Sequence, residues 1–395
     1  MTAPSPDGAQ AVPAALLERV RTVLANAGAE PTPSRVAATL RAEGRILGDA
    51  GVLAVVDALR RDTVGAGPLE PLLRTPGVTD VLVNGPNAVY LERGRGLELS
   101  EVRFPDDAAV RRLAQRLAAA GGRRLDDATP FVDVRLGDAT RFHAALAPVA
   151  RPGTCLSLRV PGRRAFEMAE LIAAETLTPD AAALLGEVVV ARLAFLVSGG
   201  TGSGKTTLLA ALLSLVSAEE RIVVVEDASE LRPEHPHVVG LEGRPPNVEG
   251  AGEIVLRDLV RQALRMRPDR LVVGEVRGAE VVDLLGALNT GHAGGCGTVH
   301  ANSAGDVPAR LEALAAAAGM PREALHAQLA AAVQVVIHLA RDPEGRRRVA
   351  ELCVLQRTDS GLVRAVTAVA FAGDGSASAG LGAGHLAELL GQKPS

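Results

Sequence analysis

Apolar positions change their spacing several times along this chain, and each change marks a different kind of element. Between Pro13 and Asp62 the residues Leu16, Leu17, Val20, Val23 and Leu24, then Val52, Leu53, Val56 and Leu59, recur at the interval of one helix face. Pro31 and Pro33 interrupt that pattern. After Gly65-Ala66-Gly67-Pro68 the period falls to two. Val78–Asn84 and Ala88–Glu92 read as strands about the turn Gly85-Pro86-Asn87. Ala109–Ala120 reads as a helix. Phe131–Arg135 and Thr140–Ala144 alternate as a hairpin around Leu136-Gly137-Asp138, and Leu156–Val160 adds a strand. From Leu177 to about Ala372, short wholly apolar runs (Leu193–Ser198, Ile222–Val225, Leu271–Val273) alternate with helical stretches such as Leu208–Leu213 and Val281–Leu288. Gly297–His300 is strand-like, residues 304–333 are helical, and Val335–Leu339 with Val349–Val354 form an antiparallel pair.

Strands alternating with helices imply a parallel sheet covered on both faces, with ligands at the C-terminal strand edges. The predicted fold class is therefore α/β, preceded by a smaller α+β domain. The expected organisation is a helical or disordered segment over 1–60, an α+β domain over 61–161, a hinge over 162–176, the α/β domain over 177–372 and a flexible tail over 373–395. There is no internal repeat.

At the first of the α/β strands stands Gly199-Gly200-Thr201-Gly202-Ser203-Gly204-Lys205-Thr206-Thr207, which fits G-x-x-x-x-G-K-[ST] between a strand and a helix. Glycines let the backbone curl round a phosphate so that amides face its oxygens, and the helix start adds a positive dipole end. Lys205 is placed to reach the β- and γ-phosphates of ATP, and the Thr206 hydroxyl to bind Mg²⁺. Only Lys205 and Lys393 are lysines among 42 basic residues. A chain that otherwise uses arginine keeps a lysine where a compact charge is needed.

Composition narrows the setting. Net charge is −4 and the arginines are dispersed, so no basic footprint for nucleic acid is evident. Runs such as Arg346-Arg347-Arg348 read as solvated faces or turn edges. Cys155, Cys296 and Cys353 are far apart, which fits a reducing, cytoplasmic setting. No signal peptide or membrane-spanning run is visible, so membrane contact is expected only through a partner.

Glu275 follows Leu271-Val272-Val273-Gly274, a hydrophobic strand ending in an acid, with Gly274 where an aspartate is usual. Glu226 and Asp227 end the neighbouring strand. Either Glu226 or Glu275 is suited to bind Mg²⁺ or polarise the attacking water, and the alternative for each is a helix cap or turn. The stretch from Thr290-Gly291-His292 to Val299-His300-Ala301-Asn302 lacks zinc spacing and suits a γ-phosphate sensor through His292 and His300. His235 and His237 read as structural. Candidate arginines for transition-state charge are Arg141 and Arg159 in the first domain, and Arg265, Arg267 and Arg277 near Glu275.

Together, Gly199–Thr207, Glu226-Asp227 through Glu230-Leu231, Gly274-Glu275-Val276-Arg277 and the two histidine stretches resemble the secretion ATPases of type II and type IV systems. Gly67-Pro68-Leu69-Glu70, Val78–Pro86 and Val89–Arg93 resemble the N-terminal signature of the tight-adherence (Flp) pilus ATPases, the CpaF/TadA group. The resemblance covers roughly residues 60–370. Ala145-Leu146-Ala147-Pro148 departs from it, where a double proline is common. It implies a PAS-like α+β domain, a RecA-like motor and a homohexamer hydrolysing ATP with Mg²⁺. Such a motor serves inner-membrane platform proteins from the cytoplasmic face, with no sequence-specific nucleic-acid contact of its own. It also implies that Glu226 lies in the Asp box, Glu275 in an atypical Walker B, and His292 and His300 in the His box. Arg141 and Arg159 would reach the nucleotide from the first domain. Conjugative type IV secretion, or a nucleotide-gated scaffold that does not hydrolyse, are the alternatives.

Overall fold

The computed structural model describes residues 16, 19–20, 23–24, 32–45, 47–49, 51–53, 55–56, 65–94, 96–160, 165–247, 249–342 and 345–391. The expectation for residues 1–12, and much of that for 13–62, lies outside them. The chain divides into two units, Met1–Pro161 and Gly162–Ser395.

In the first unit, helix α1 (Pro33–Ala42) contributes Val36 and Leu40 to a small cluster with Leu16, Val20, Leu24, Val55 and Val56. Residues 65–160 form a six-stranded antiparallel sheet. Its strands are β1 (Asp80–Asn84), β2 (Val89–Glu92), β3 (Leu97–Leu99), β4 (Phe131–Arg135), β5 (Arg141–Ala145) and β6 (Cys155–Arg159), in the order β3-β2-β1-β6-β5-β4. Alternation puts Val81, Val83, Phe142, Ala144, Leu156 and Leu158 on the buried face. Helix α2 (Asp107–Ala120) packs Val110, Leu113 and Leu117 into that core. Its start is set by the Asp106 carboxylate, which accepts from Ala109 N–H at 2.7 Å.

The second unit is built on a nine-stranded sheet. Its strands are β7 (Phe195–Gly199), β8 (Ile222–Glu226), β9 (Val238–Glu242), β10 (Arg270–Val276), β11 (Cys296–His300), β12 (Val335–Arg341), β13 (Arg347–Arg357), β14 (Val363–Phe371) and β15 (Ala377–Ala379). The order is β15-β14-β13-β12-β7-β11-β10-β8-β9. β9 through β12 in that order run parallel, and β12 to β15 antiparallel. Strands buried on both faces explain the unbroken apolar runs. Phe195, Val197, Ile222 and Val224 face one core, which is closed by helices α3 (Met168–Ala173), α4 (Pro179–Val190) and α5 (Lys205–Leu213). Leu196, Val223, Val225, Leu271 and Val273 face the other. That side is closed by α6 (Leu256–Ala263), α7 (Glu280–Leu288), α8 (Val307–Ala317) and α9 (Arg322–Ala332).

Two expectations are corrected here. The hinge expected over 162–176 contains α3, whose Leu171 is buried in the second unit's core with Met168 and Ile172 packed against it. The tail expected to be flexible over 373–395 carries β15, which pairs with β14, and helix α10 (Ala383–Leu389), whose Leu386 joins the same core. A few apolar residues among glycines and alanines were enough, because a waiting sheet edge supplied their partners.

Candidate functional site

Parallel pairing aligns the ends of the central strands. Gly199 lies opposite His300 of β11 on one side and Leu339 of β12 on the other. The phosphate loop leaves β7 at that edge and ends at Gly204, which has φ +96° and is the N-cap of α5. Gly199 (φ +152°) cannot be replaced without movement, since a Cβ there would lie 2.6 Å from both the Leu339 carbonyl and Ser203 Oγ. Ser203 Oγ is buried and has no hydrogen-bond partner among the described residues. A curled, glycine-bearing backbone at a helix start, with a buried hydroxyl short of a partner, fits a polyphosphate. Thr206 and Thr207 follow in the first turn of α5, half-buried.

Lys205 is buried, and its ammonium donates to the carbonyls of Gly199 (3.0 Å) and Gly200 (2.9 Å). Burial holds its pKa below the ordinary lysine value, with Glu275 pulling the other way and Arg277 adding to the fall. Lys205 Nζ also lies 3.4 Å from His300 Nδ1, and His300 Nε2 lies 2.6 Å from Glu275 Oε1. That last pair is at ion-pair distance but not aligned as a hydrogen bond. Glu275 Oε2 accepts from Arg277 Nη2. Desolvation and the Lys205 charge push the His300 pKa down, with Glu275 opposing. The array Lys205–His300–Glu275–Arg277 thus runs from the loop along the strand edge.

Glu275 is aimed there by a bulge. The pairings Val273↔Gly297 and Val276↔Val299 leave one extra residue in β10, at Gly274–Glu275. Thr298 Oγ1 holds that bulge by donating to the Gly274 carbonyl at 2.7 Å. Glu226 ends the adjacent β8 and is nearly buried. Its Oε1 accepts from the amides of Glu230 (3.0 Å) and Leu231 (2.9 Å). Burial pushes its pKa up to about 7, against the pull of those two amides. A cleft of about 540 Å³ beside the loop is lined by Gly200, Thr201, His300, Asn302, Asp306 and Arg310, among others.

Not every candidate comes to this edge. His292 precedes β11 at the opposite, N-terminal edge of the sheet, where its Nδ1 lies 3.1 Å from the Ala287 carbonyl. The whole of β11 separates His292 from His300, so the two rings do not meet at one strand edge. Arg265 and Arg267 also precede their strand, β10, at that far edge, and only Arg277 of the three stands beside Glu275. His235 and His237 contact the Ser217 carbonyl and Arg221. In the first unit, Arg141 of β5 lies directly opposite Arg159 of β6. Arg141 is bonded to Asp133 at 2.6 and 3.2 Å, and Arg159 to Asp80 at 3.1 Å. Among the described residues, no group of three or more His, Cys, Asp or Glu is gathered as a metal cluster.

Sequence reasoning missed Arg310, on the wall of the cleft, and the buried pair Ser198–His338 (2.9 Å) beneath the loop. The signal for His338 was a histidine in an otherwise apolar strand. Arg310 had no signal outside three dimensions.

The chain is similar to known proteins over most of its length. A putative conjugal transfer protein of Mycobacterium tuberculosis (strain H37Rv) is 62% identical over 82% of this chain and 93% of its own. The conjugal transfer protein TrbB of Rhizobium radiobacter is 30% identical over 68% and 81%. The X-ray structure of the Legionella pneumophila ATPase DotB superposes with a TM-score of 0.52, at 19% identity, over 72% of this chain and 79% of that one. The fold is thus α/β, a RecA-like domain preceded by a sheet-rich N-terminal domain. With residues 62–374 matching the model of the type II/IV secretion system protein family, the chain belongs to that family.

Proposed function

We propose that this protein is a Mg²⁺-dependent ATPase motor, working as a homohexamer that drives pilus assembly or secretion through inner-membrane platform proteins. The observation that carries this reading is the continuous array from the phosphate loop through Lys205, His300 and Glu275 to Arg277. In it, the amides of Gly200–Thr207 hold the triphosphate and Lys205 leaves the loop carbonyls to grip its terminal phosphates. Thr206 and Glu275 would hold Mg²⁺, which would neutralise phosphate charge. Glu275 polarises the attacking water. Glu226, with Oε1 committed to two amides, positions the segment that follows β8 instead. His300 touches both Lys205 and Glu275, which suits it to report loss of the γ-phosphate. Arg141 and Arg159, like charges set opposite each other, supply charge from the first domain to a site shared between subunits. The motor then works from the cytoplasmic side. None of the described helices is long and apolar enough to cross a membrane.

The test is Mg²⁺-dependent ATP turnover of the full chain against Lys205→Ala. Turnover should fall at least about 100-fold, with an unchanged circular dichroism spectrum. Equal turnover in the variant would refute the reading.

The names of the relatives favour a second reading of the cargo, conjugal transfer rather than a tight-adherence pilus. A deletion strain scored for both surface pili and DNA transfer separates the two.

A further inference from the structure

The hairpin β12–β13 is keyed to the phosphate loop at three successive points. Ser198 Oγ meets His338 Nδ1 at 2.9 Å inside the sheet. One residue on, the Leu339 carbonyl occupies the space a side chain at Gly199 would need. Beyond the sheet edge the hairpin continues to the pair Arg341↔Arg347. There a Cβ at Gly204 would lie 3.5 Å from Arg347 Cδ, so the stem of Arg347 lies in van der Waals reach of the loop's last residue. The flanking arginines are turned elsewhere. Arg346 Nε donates to Asp342 at 2.8 Å, and Arg348 Nη1 to the Phe371 carbonyl at 2.5 Å. An arginine whose stem lies on a surface carries its planar fork past the contact, and that fork matches phosphate oxygens in pairs.

From this we propose that Arg347 is a nucleotide-binding residue that closes on the α- and β-phosphates held by its own subunit's loop. The assignment rests on the reading of the loop as an ATP site. Gly204 precedes Lys205, in the part of such a loop whose amides cradle the α- and β-phosphates rather than the γ-phosphate. Both groups are present in ADP and ATP. Arg347 therefore sets affinity for either nucleotide, while Lys205 and Glu275 serve the terminal phosphate.

The experiment is calorimetric titration of the full chain with ADP and with a non-hydrolysable ATP analogue, for wild type, Arg347→Gln, Arg347→Lys and Lys205→Ala. Loss of one charge-assisted contact predicts about 10- to 100-fold weaker binding of both nucleotides by Arg347→Gln. Arg347→Lys keeps the charge but not the paired fork, so it should recover only part of it, and kcat at saturating ATP should change far less than KM. Thermal unfolding without nucleotide should change little, since the residue is exposed and exposed contacts contribute little to stability. Wild-type affinity in Arg347→Gln, or weakening toward the ATP analogue alone, overturns the assignment while leaving the loop reading intact. If wild type itself binds neither nucleotide, the loop reading falls and this one with it.

Discussion

Gly274 and Glu226 share one space. A Cβ built on Gly274 would lie 2.5 Å from Glu226 Cγ and 3.0 Å from its Oε1. The glycine that replaces the usual aspartate ahead of Glu275 is thereby explained, because the carboxylate of the next strand stands where a side chain would go. Gly274→Ala should force Glu226 off the amides of Glu230 and Leu231 and cost about 1–3 kcal/mol by overpacking. Urea unfolding measures the loss. Adding Glu226→Ala to Gly274→Ala frees the space, so the double variant should lose less than the two single changes together. Additive losses would count against the steric account.

Glu226 also makes stability depend on pH in an unusual direction. Its folded pKa is raised by desolvation from 4.5 to about 7, so the folded chain holds the proton more tightly than the unfolded one. The contribution is complete below pH 4.5 and is lost as pH rises through about 7, amounting to about 3 kcal/mol. Glu226→Gln keeps an acceptor oxygen and cannot ionise. Unfolding free energies measured from pH 4.5 to 8 should show wild type falling relative to this variant over that window. Parallel curves would exclude the assignment.

His300 has the opposite sign. Desolvation and Lys205 depress its pKa below 6.5, with Arg277 and Arg310 adding to that and Glu275 opposing. The folded chain binds this proton less tightly, so its contribution is present above pH 6.5 and lost as pH falls through the depressed value. A protonated ring would also repel the Lys205 ammonium, 3.4 Å away, at the moment the loop must hold phosphate. ATP turnover should therefore show an acid limb below pH 6.5, and His300→Gln should flatten it while lowering the plateau. An acid limb unchanged in that variant would assign it to another group.

These relationships divide what was legible in the chain from what was not. Strand, loop and helix around Lys205 could be read directly, because their signals are local: an apolar run, glycines, then helical spacing. The hairpins of the first unit were legible for the same reason. Positions set by sheet order were hidden. His292 and His300 look like partners eight residues apart, yet the five residues of β11 rise about 16 Å between one sheet edge and the other. Arg347 looked like part of a solvated run because only the β12–β13 pairing brings it to Gly204. In the tail the weak pattern of one helix was legible, but the burial of α10 was not, because it depends on packing outside the helix.

Arg141 and Arg159 separate structural from catalytic work. Each already has a carboxylate partner on its own sheet, Asp133 and Asp80, and both arginines are exposed. Exposed ion pairs of this kind contribute about 0–1 kcal/mol, so Arg141→Ala should leave unfolding nearly unchanged. If Arg141 serves a site shared between subunits, its removal acts on a neighbour's turnover. Titrating Arg141→Ala into wild-type protein at constant total concentration should then depress ATP turnover more steeply than the fraction of variant. Asp133→Ala removes the partner and keeps the arginine, so it should not reproduce the effect. A strictly linear decline on mixing would mean that each subunit completes its own site, and Arg141 would be left with a structural role, its bond to Asp133 included.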